Sequence, residues 1–185
     1  VEQRASLPQR SIGFIDITLE PAEFITEFAK QLQQQSAVGI RHILEPLETS
    51  QGTADLYKNT VEKLREQRIT TLLENINSFT NLGVLATSNG IFELQCDVNN
   101  RELVVQVFSF FQRLPTLKLV LNHAGFAPTA FDLNGQLNAS FTDWKINTQL
   151  LAQLPNICVK CSGFEMIERS YDKAQIQAVL LHCID

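Results

Sequence analysis

No apolar stretch in the 185 residues approaches the roughly 18 needed for a membrane-spanning helix, so none is expected. There is also no dense run of Lys or Arg, and the formal net charge of −5 leaves no basic footprint for nucleic acid. The opening VEQRASLPQR lacks both an initiator Met and the apolar core of a signal peptide. The closing AVLLHCID stops inside an apolar run without a cap, so the sequence is expected to be a piece of a longer protein.

Cysteine is sparse. Cys96, Cys158, Cys161 and Cys183 do not resemble a secreted disulfide framework. Cys158 and Cys161 form a C-x2-C, which invites a zinc or redox reading. Yet NICVKCSG reads as strand, where residues three apart point to opposite faces, and no second Cys or His pair stands at zinc-finger spacing. Reduced, partly buried thiols and a cytoplasmic location are expected.

What is present fits an ordinary globular protein, with 44% apolar and 19% charged residues and one domain over 1–185. Five segments have strand character: 12–19, 38–44, 91–98, 117–123 and 157–162. Helical stripes fall between most of them. Residues 21–35 align Phe24, Ile25, Phe28 and Leu32, with Pro21 suited to the first turn. Residues 100–113 align Leu103, Val104, Val107, Phe108 and Phe111, and 143–153 and 172–184 follow, with Asp143 and Asp172 near their starts. The longer interval, 45–90, predicts helices near 54–67 and 76–88, the second stopped by TSNG at 87–90. Strand–helix alternation predicts an α/β protein with a parallel sheet, either open and doubly wound or most of a barrel.

Alternation divides the strands into two faces. Phe92, Leu94 and Cys96 oppose Glu93, Gln95 and Asp97; Leu117, Leu119 and Leu121 oppose Lys118, Val120 and Asn122. Ile157, Val159 and Cys161 oppose Cys158, Lys160 and Ser162, while Gly39, Arg41 and Ile43 oppose Ile40, His42 and Leu44. One face can pack on helices. The other gathers Arg41, Glu93, Gln95, Asn122 and Lys160, and charged residues there need partners, so an Arg41–Glu93 ion pair is expected.

His123 ends a strand just before Gly125, and strand carboxyl ends are where α/β folds bind ligands. A neutral imidazole there can ligate a divalent metal or act as a base toward water; a hydrogen-bonded structural histidine is the alternative. By parity His123 belongs with the helix-facing Leu119 and Leu121, and Asn122 with the inward face. Lys160 can bind a substrate carboxylate or neutralise Glu93. His42 sits in mid-strand and His182 in a terminal helix, both readable as structural. Trp144 is explained by packing. The loops GFAP (125–128) and SGFEM (162–166) are candidate active-site loops.

Four segments together resemble the amidohydrolase-2 group of TIM-barrel hydrolases: GIRHIL (39–44), FELQ (92–95), PTLKLVLNHAGFAP (115–128) and LPNICVKCSGFEM (154–166). The group includes lactonases such as fuconolactonase and 2-pyrone-4,6-dicarboxylate hydrolase. The resemblance implies a (β/α)8 barrel truncated to about five βα units, strands 3 to 7 of 8. The group's His-x-His strand and final Asp-bearing strand would then lie outside the sequence. It implies a hydrolase opening a lactone or similar carboxylated cyclic ester by water attack, on a small-molecule substrate. The alternatives are a metal-dependent decarboxylase of the same superfamily, or a catalytically silent barrel used for binding. His123 matches the group's active-site histidine, catalytic or, where a metal is used, its ligand. Arg41, His42, Gln95 and Lys160 match recurrent positions of the group and are implied substrate contacts, to which strand parity adds Asn122. The resemblance leaves open a divalent metal, Zn or Mn, and homo-oligomerisation. It also implies that the 185 residues alone are inactive.

Overall fold

Parallel strands and helices alternate through residues 10–33, 37–43, 72–131, 134–164 and 173–184, the parts that this computed structural model describes. The chain runs β1 (Ser11–Gly13), α1 (Pro21–Gln33), β2 (Ala37–Ile43), α2 (Ile76–Thr87), β3 (Ile91–Gln95), α3 (Arg101–Phe111), β4 (Lys118–Leu121), α4 (Ala139–Leu151), β5 (Ile157–Val159) and α5 (Lys173–Ile184). The helix expected at 54–67, and Asp172, lie outside the described residues.

The five strands form one parallel sheet in the order β1-β2-β3-β4-β5. Each strand adds beside its predecessor, so the order has no switch point of the kind a doubly wound sheet requires. Successive right-handed crossovers then carry the helices to the same face. On that face Ile40, Phe92, Leu94, Leu119 and Leu121 are fully buried, as alternation requires. Leu103, Val104, Val107, Phe110 and Phe111 of α3 are buried with them, and the Phe92 and Phe111 rings lie 5.8 Å apart. Each such side chain contributes about 1.5–3 kcal/mol on burial, so this face supplies most of the driving force for folding.

Several helix boundaries and stripes differ from expectation, each for a local reason. In α1, Phe24 and Phe28 are buried, but Ile25 and Leu32 stay about half exposed, so the apolar stripe is narrower than the sequence suggests. In α3, Phe110 is buried and Phe108 only partly so. Helix α4 begins one turn before Asp143, because Asn138 caps it by accepting from Ser140 N at 3.1 Å. Helix α2 stops as TSNG implies, but Asn89, not Gly90, takes the left-handed conformation (φ 58°). Gly90 N then donates to Leu85 O and Asn89 N to Ala86 O.

The strands are shorter than their apolar patterns. The chain leaves the sheet after Gly13, Gln95, Leu121 and Val159, although Ile15, Ile17, Cys96 and Val98 beyond these ends remain buried. Sequence hydrophobicity reports burial, whereas strand length reports backbone pairing. The difference lies at the carboxyl ends, where the polar residues gather.

Candidate active site

The register across the sheet aligns Arg41 with Glu93, Glu93 with Val120, and Val120 with Cys158. All four lie on the face away from the helices, which places the Arg41 guanidinium beside the Glu93 carboxylate. Arg41 Nε donates to Glu93 Oε2 at 2.7 Å, and the Nη2 group reaches the same oxygen. Asn122 Nδ2 donates to Oε2 at 3.1 Å, and Lys160 Nζ lies 3.7 Å from Oε1. The Arg41–Glu93 pair expected from the strands is therefore present, within a larger cluster.

Burial pushes the Glu93 carboxyl up. Hydrogen bonds from Asn122 and Arg41, with the charges of Arg41 and Lys160, outweigh that and hold it below its ordinary value. Glu93 thus stays an anion with little affinity for a proton. Two cations share one carboxylate, so the cluster carries a net positive charge. The Lys160 side chain is 44% exposed and faces solvent more than the 35% exposed Arg41. Asn122 is fully buried, and its Oδ1 accepts no hydrogen bond from the described residues.

After β4 the backbone makes an unusual turn. His123, Ala124, Gly125 and Phe126 have φ of 55°, 50°, 60° and 60°, four consecutive residues in the left-handed region. Three of them bear side chains, for which this conformation costs about 1–2 kcal/mol each. Gly125 is required on packing grounds as well, since a Cβ there would lie 1.7 Å from Val98 Cγ2. The reversal of hand breaks strand parity. Asn122 reaches inward to Glu93, while the next residue, His123, turns across the strand ends, where its Nδ1 lies 3.3 Å from Ser162 Oγ. The expected conflict between the two residues disappears, because both face the same end of the sheet.

The other sequence candidates divide. Lys160 joins the cluster through its ammonium, and its backbone accepts from Ala124 N and donates to Leu121 O. Gln95 is buried, two residues beyond Glu93 on the same strand. His42 stands apart, on the alternate face from Arg41. Its Nε2 lies 3.9 Å from Asp16 Oδ1 and its ring is 5.6 Å from that of Phe14. Ser162 was legible only as a face-mate of Lys160, with nothing to mark it as a neighbour of His123.

The C-x2-C does not act as a pair. Cys158 is exposed, whereas Cys161 contacts Cys183 of α5; burial and the neighbouring Cys161 push the Cys183 thiol up to about 12. None of the four cysteines forms a disulfide. Among the described residues no group of three or more His, Cys, Asp or Glu could hold a metal ion. Glu93, the carboxylate of the cluster, is already committed to Arg41 and Lys160. His123 therefore offers one donor, and the described residues do not by themselves fit a metal centre.

Comparison with solved structures supports this fold. An amidohydrolase from Burkholderia multivorans with bound HEPES aligns with a TM-score of 0.68 at 18% identity, over 96% of this chain and 54% of that one. A second crystal form of an amidohydrolase from the same organism, with bound zinc, gives 0.65 at 18% identity over the same shares. The chain thus spans about half the length of these structures. No curated protein matches it in sequence. The Amidohydro_2 family, described as amidohydrolase, matches residues 1–183. With nearly its whole length covered by that match, the chain belongs to the amidohydrolase family.

Proposed function

We propose that the chain forms five consecutive βα units, strands 3 to 7, of a (β/α)8 barrel whose whole protein opens a lactone or similar carboxylated cyclic ester. The observation that carries this reading is the pairing of His123 with Ser162 beyond the carboxyl ends of β4 and β5, on a sheet whose β2 and β3 hold Arg41 and Glu93 in a net-positive cluster with Lys160, the residue after β5. In α/β barrels that end is the reactive one.

Water adds to the ester carbonyl in this scheme, and His123 polarises the oxygen on which negative charge develops. Collapse of that adduct breaks the ring C–O bond, and the leaving alkoxide takes up the proton that the base removed from water. Lys160, the more exposed cation, anchors a carboxylate on the substrate. Arg41 acts chiefly by holding Glu93, and Asn122 and Gln95 line the same face. His42 would have to act from the other face, so its contribution as a substrate contact is the smallest. The scheme takes the base that activates water from residues outside this chain; Glu93, its pKa held down by its partners, has too little proton affinity to serve well. A zinc ion accompanies one of the structural neighbours. If the whole protein holds a divalent ion, Zn or Mn, at His123, further ligands must come from beyond the described residues. The whole protein is expected to act in the cytoplasm, as a monomer or a homo-oligomer, on a small molecule.

The test is assay of the full-length protein on a panel of carboxylated γ- and δ-lactones, with ring opening followed by proton release and CO2 measured in parallel. Lactone opening that falls roughly a hundredfold or more in His123→Ala supports the reading. CO2 release without ring opening would replace it with decarboxylation, and neither activity would favour a binding role. The 185 residues alone are expected to show no turnover, and detectable turnover by them would refute the placement of the base.

A further inference from the structure

The left-handed turn survives only because its surroundings hold it, and all but one of the hydrogen bonds that hold it come from other segments of the chain. Trp144 is fully buried in α4, and its indole N–H donates at 2.8 Å to Ala124 O, the carbonyl just after His123. The rest of the turn is also tied. Val98 N donates to Gly125 O at 3.1 Å, Asn99 Nδ2 to Phe126 O at 3.0 Å, and Phe126 N to His123 O at 2.9 Å. Ala124 N donates to Lys160 O at 3.0 Å. Every carbonyl from His123 to Phe126 therefore accepts a hydrogen bond. Backbone in a sparsely populated region persists only when neighbours over-determine it, and it concentrates at functional sites.

We propose that Trp144 is a positioning residue for His123, holding the left-handed turn that directs the imidazole across the ends of β4 and β5. The proposal rests on the reading of His123 as an active-site residue. Packing alone does not explain the indole. The ring already has the Phe141 ring at 5.1 Å and the His182 ring at 5.1 Å, contacts that a phenyl group would retain in large part. What a phenyl group cannot supply is the N–H. Its acceptor lies in the strained turn rather than within α4. Asn147, one turn further along α4, fixes the Val98 carbonyl at 2.7 Å, so the same helix secures the neighbouring loop whose amide holds Gly125 O.

The contributions of ring and N–H can be separated in the full-length protein with 15N-labelled histidine. Trp144→Phe keeps an aromatic ring and removes the donor. The His123 imidazole resonances are expected to shift, and kcat for the lactone of the panel to fall roughly tenfold or more with KM little changed. Phe141→Leu removes a stacking partner and keeps the donor, so Tm should drop while the His123 resonances and kcat hold. Unmoved His123 resonances in a folded Trp144→Phe protein overturn the proposal, whatever the protein hydrolyses. Should Trp144→Phe fail to fold, Asn99→Ala removes the donor to Phe126 O from the exposed side of the same turn. It must then shift the His123 resonances, and no shift overturns the proposal. Whether His123 serves the reaction is read separately, from the activity of His123→Ala.

Discussion

The two faces of the sheet are held by different physics. On the helix face, Ile40, Phe92, Leu94, Leu119 and Leu121 meet helix side chains through contacts without direction. Each contributes by area, and a substitution costs what it uncovers. On the opposite face, Arg41, Glu93, Asn122 and Lys160 meet through directed bonds that converge on one carboxylate. Removing a member there strands its partners, so the cost depends on which member goes. The stable face tolerates exchange among apolar residues of similar size, while the polar face specifies particular atoms. Charge that must be held at fixed positions is built on the second.

The largest expected effect lies on the apolar face. Phe92→Ala should destabilise the protein by about 3–5 kcal/mol, read from the denaturant midpoint at constant m-value. A cost near that of an exposed substitution would break the contrast between the faces. Arg41→Ala comes next, at about 1.5–3 kcal/mol, because it leaves the buried Glu93 carboxylate with only Asn122 and Lys160. Lys160→Ala, taken from a more exposed position, should cost clearly less; equal costs would mean that the cluster is not hierarchical.

The smallest effect is on acid stability. Glu93 has a lowered folded-state pKa, so its stabilising contribution is present above the unfolded value and is lost as pH falls through the lower, folded one. Glu93→Gln should flatten that loss at and below the ordinary carboxylate range and lower stability modestly at neutral pH. An unchanged acid limb would show that Glu93 binds its proton equally well in the folded and unfolded states.

Much of this contrast is visible in the amino-acid order. Phe92, Leu94 and Cys96 alternate with Glu93 and Gln95, and that period of two assigned every strand residue in the cluster to its face. Arg41 and Glu93 could be paired because they fall on successive strands of the described sheet. The strand ends resisted reading. Residues such as Ile17 and Val98 are apolar because they are buried, although they lie outside the ladder. Asp143 looked like a helix start because an acid favours that position, but Asn138 offers a better-placed acceptor one turn earlier. Cys161 was read against its neighbour in sequence, whereas its partner is Cys183, brought in by the packing of α5.

Local chemistry therefore settles the strands, the helices, the two faces and the gathering of polar groups at one end, because side-chain alternation and capping act within a few residues. It could not settle how Asn122 and His123 both serve that end. Alanine and phenylalanine carry no local preference for a left-handed turn. The conformation at 123–126 exists because Trp144, Val98, Asn99 and Lys160 supply partners for its backbone, from segments that only folding brings together.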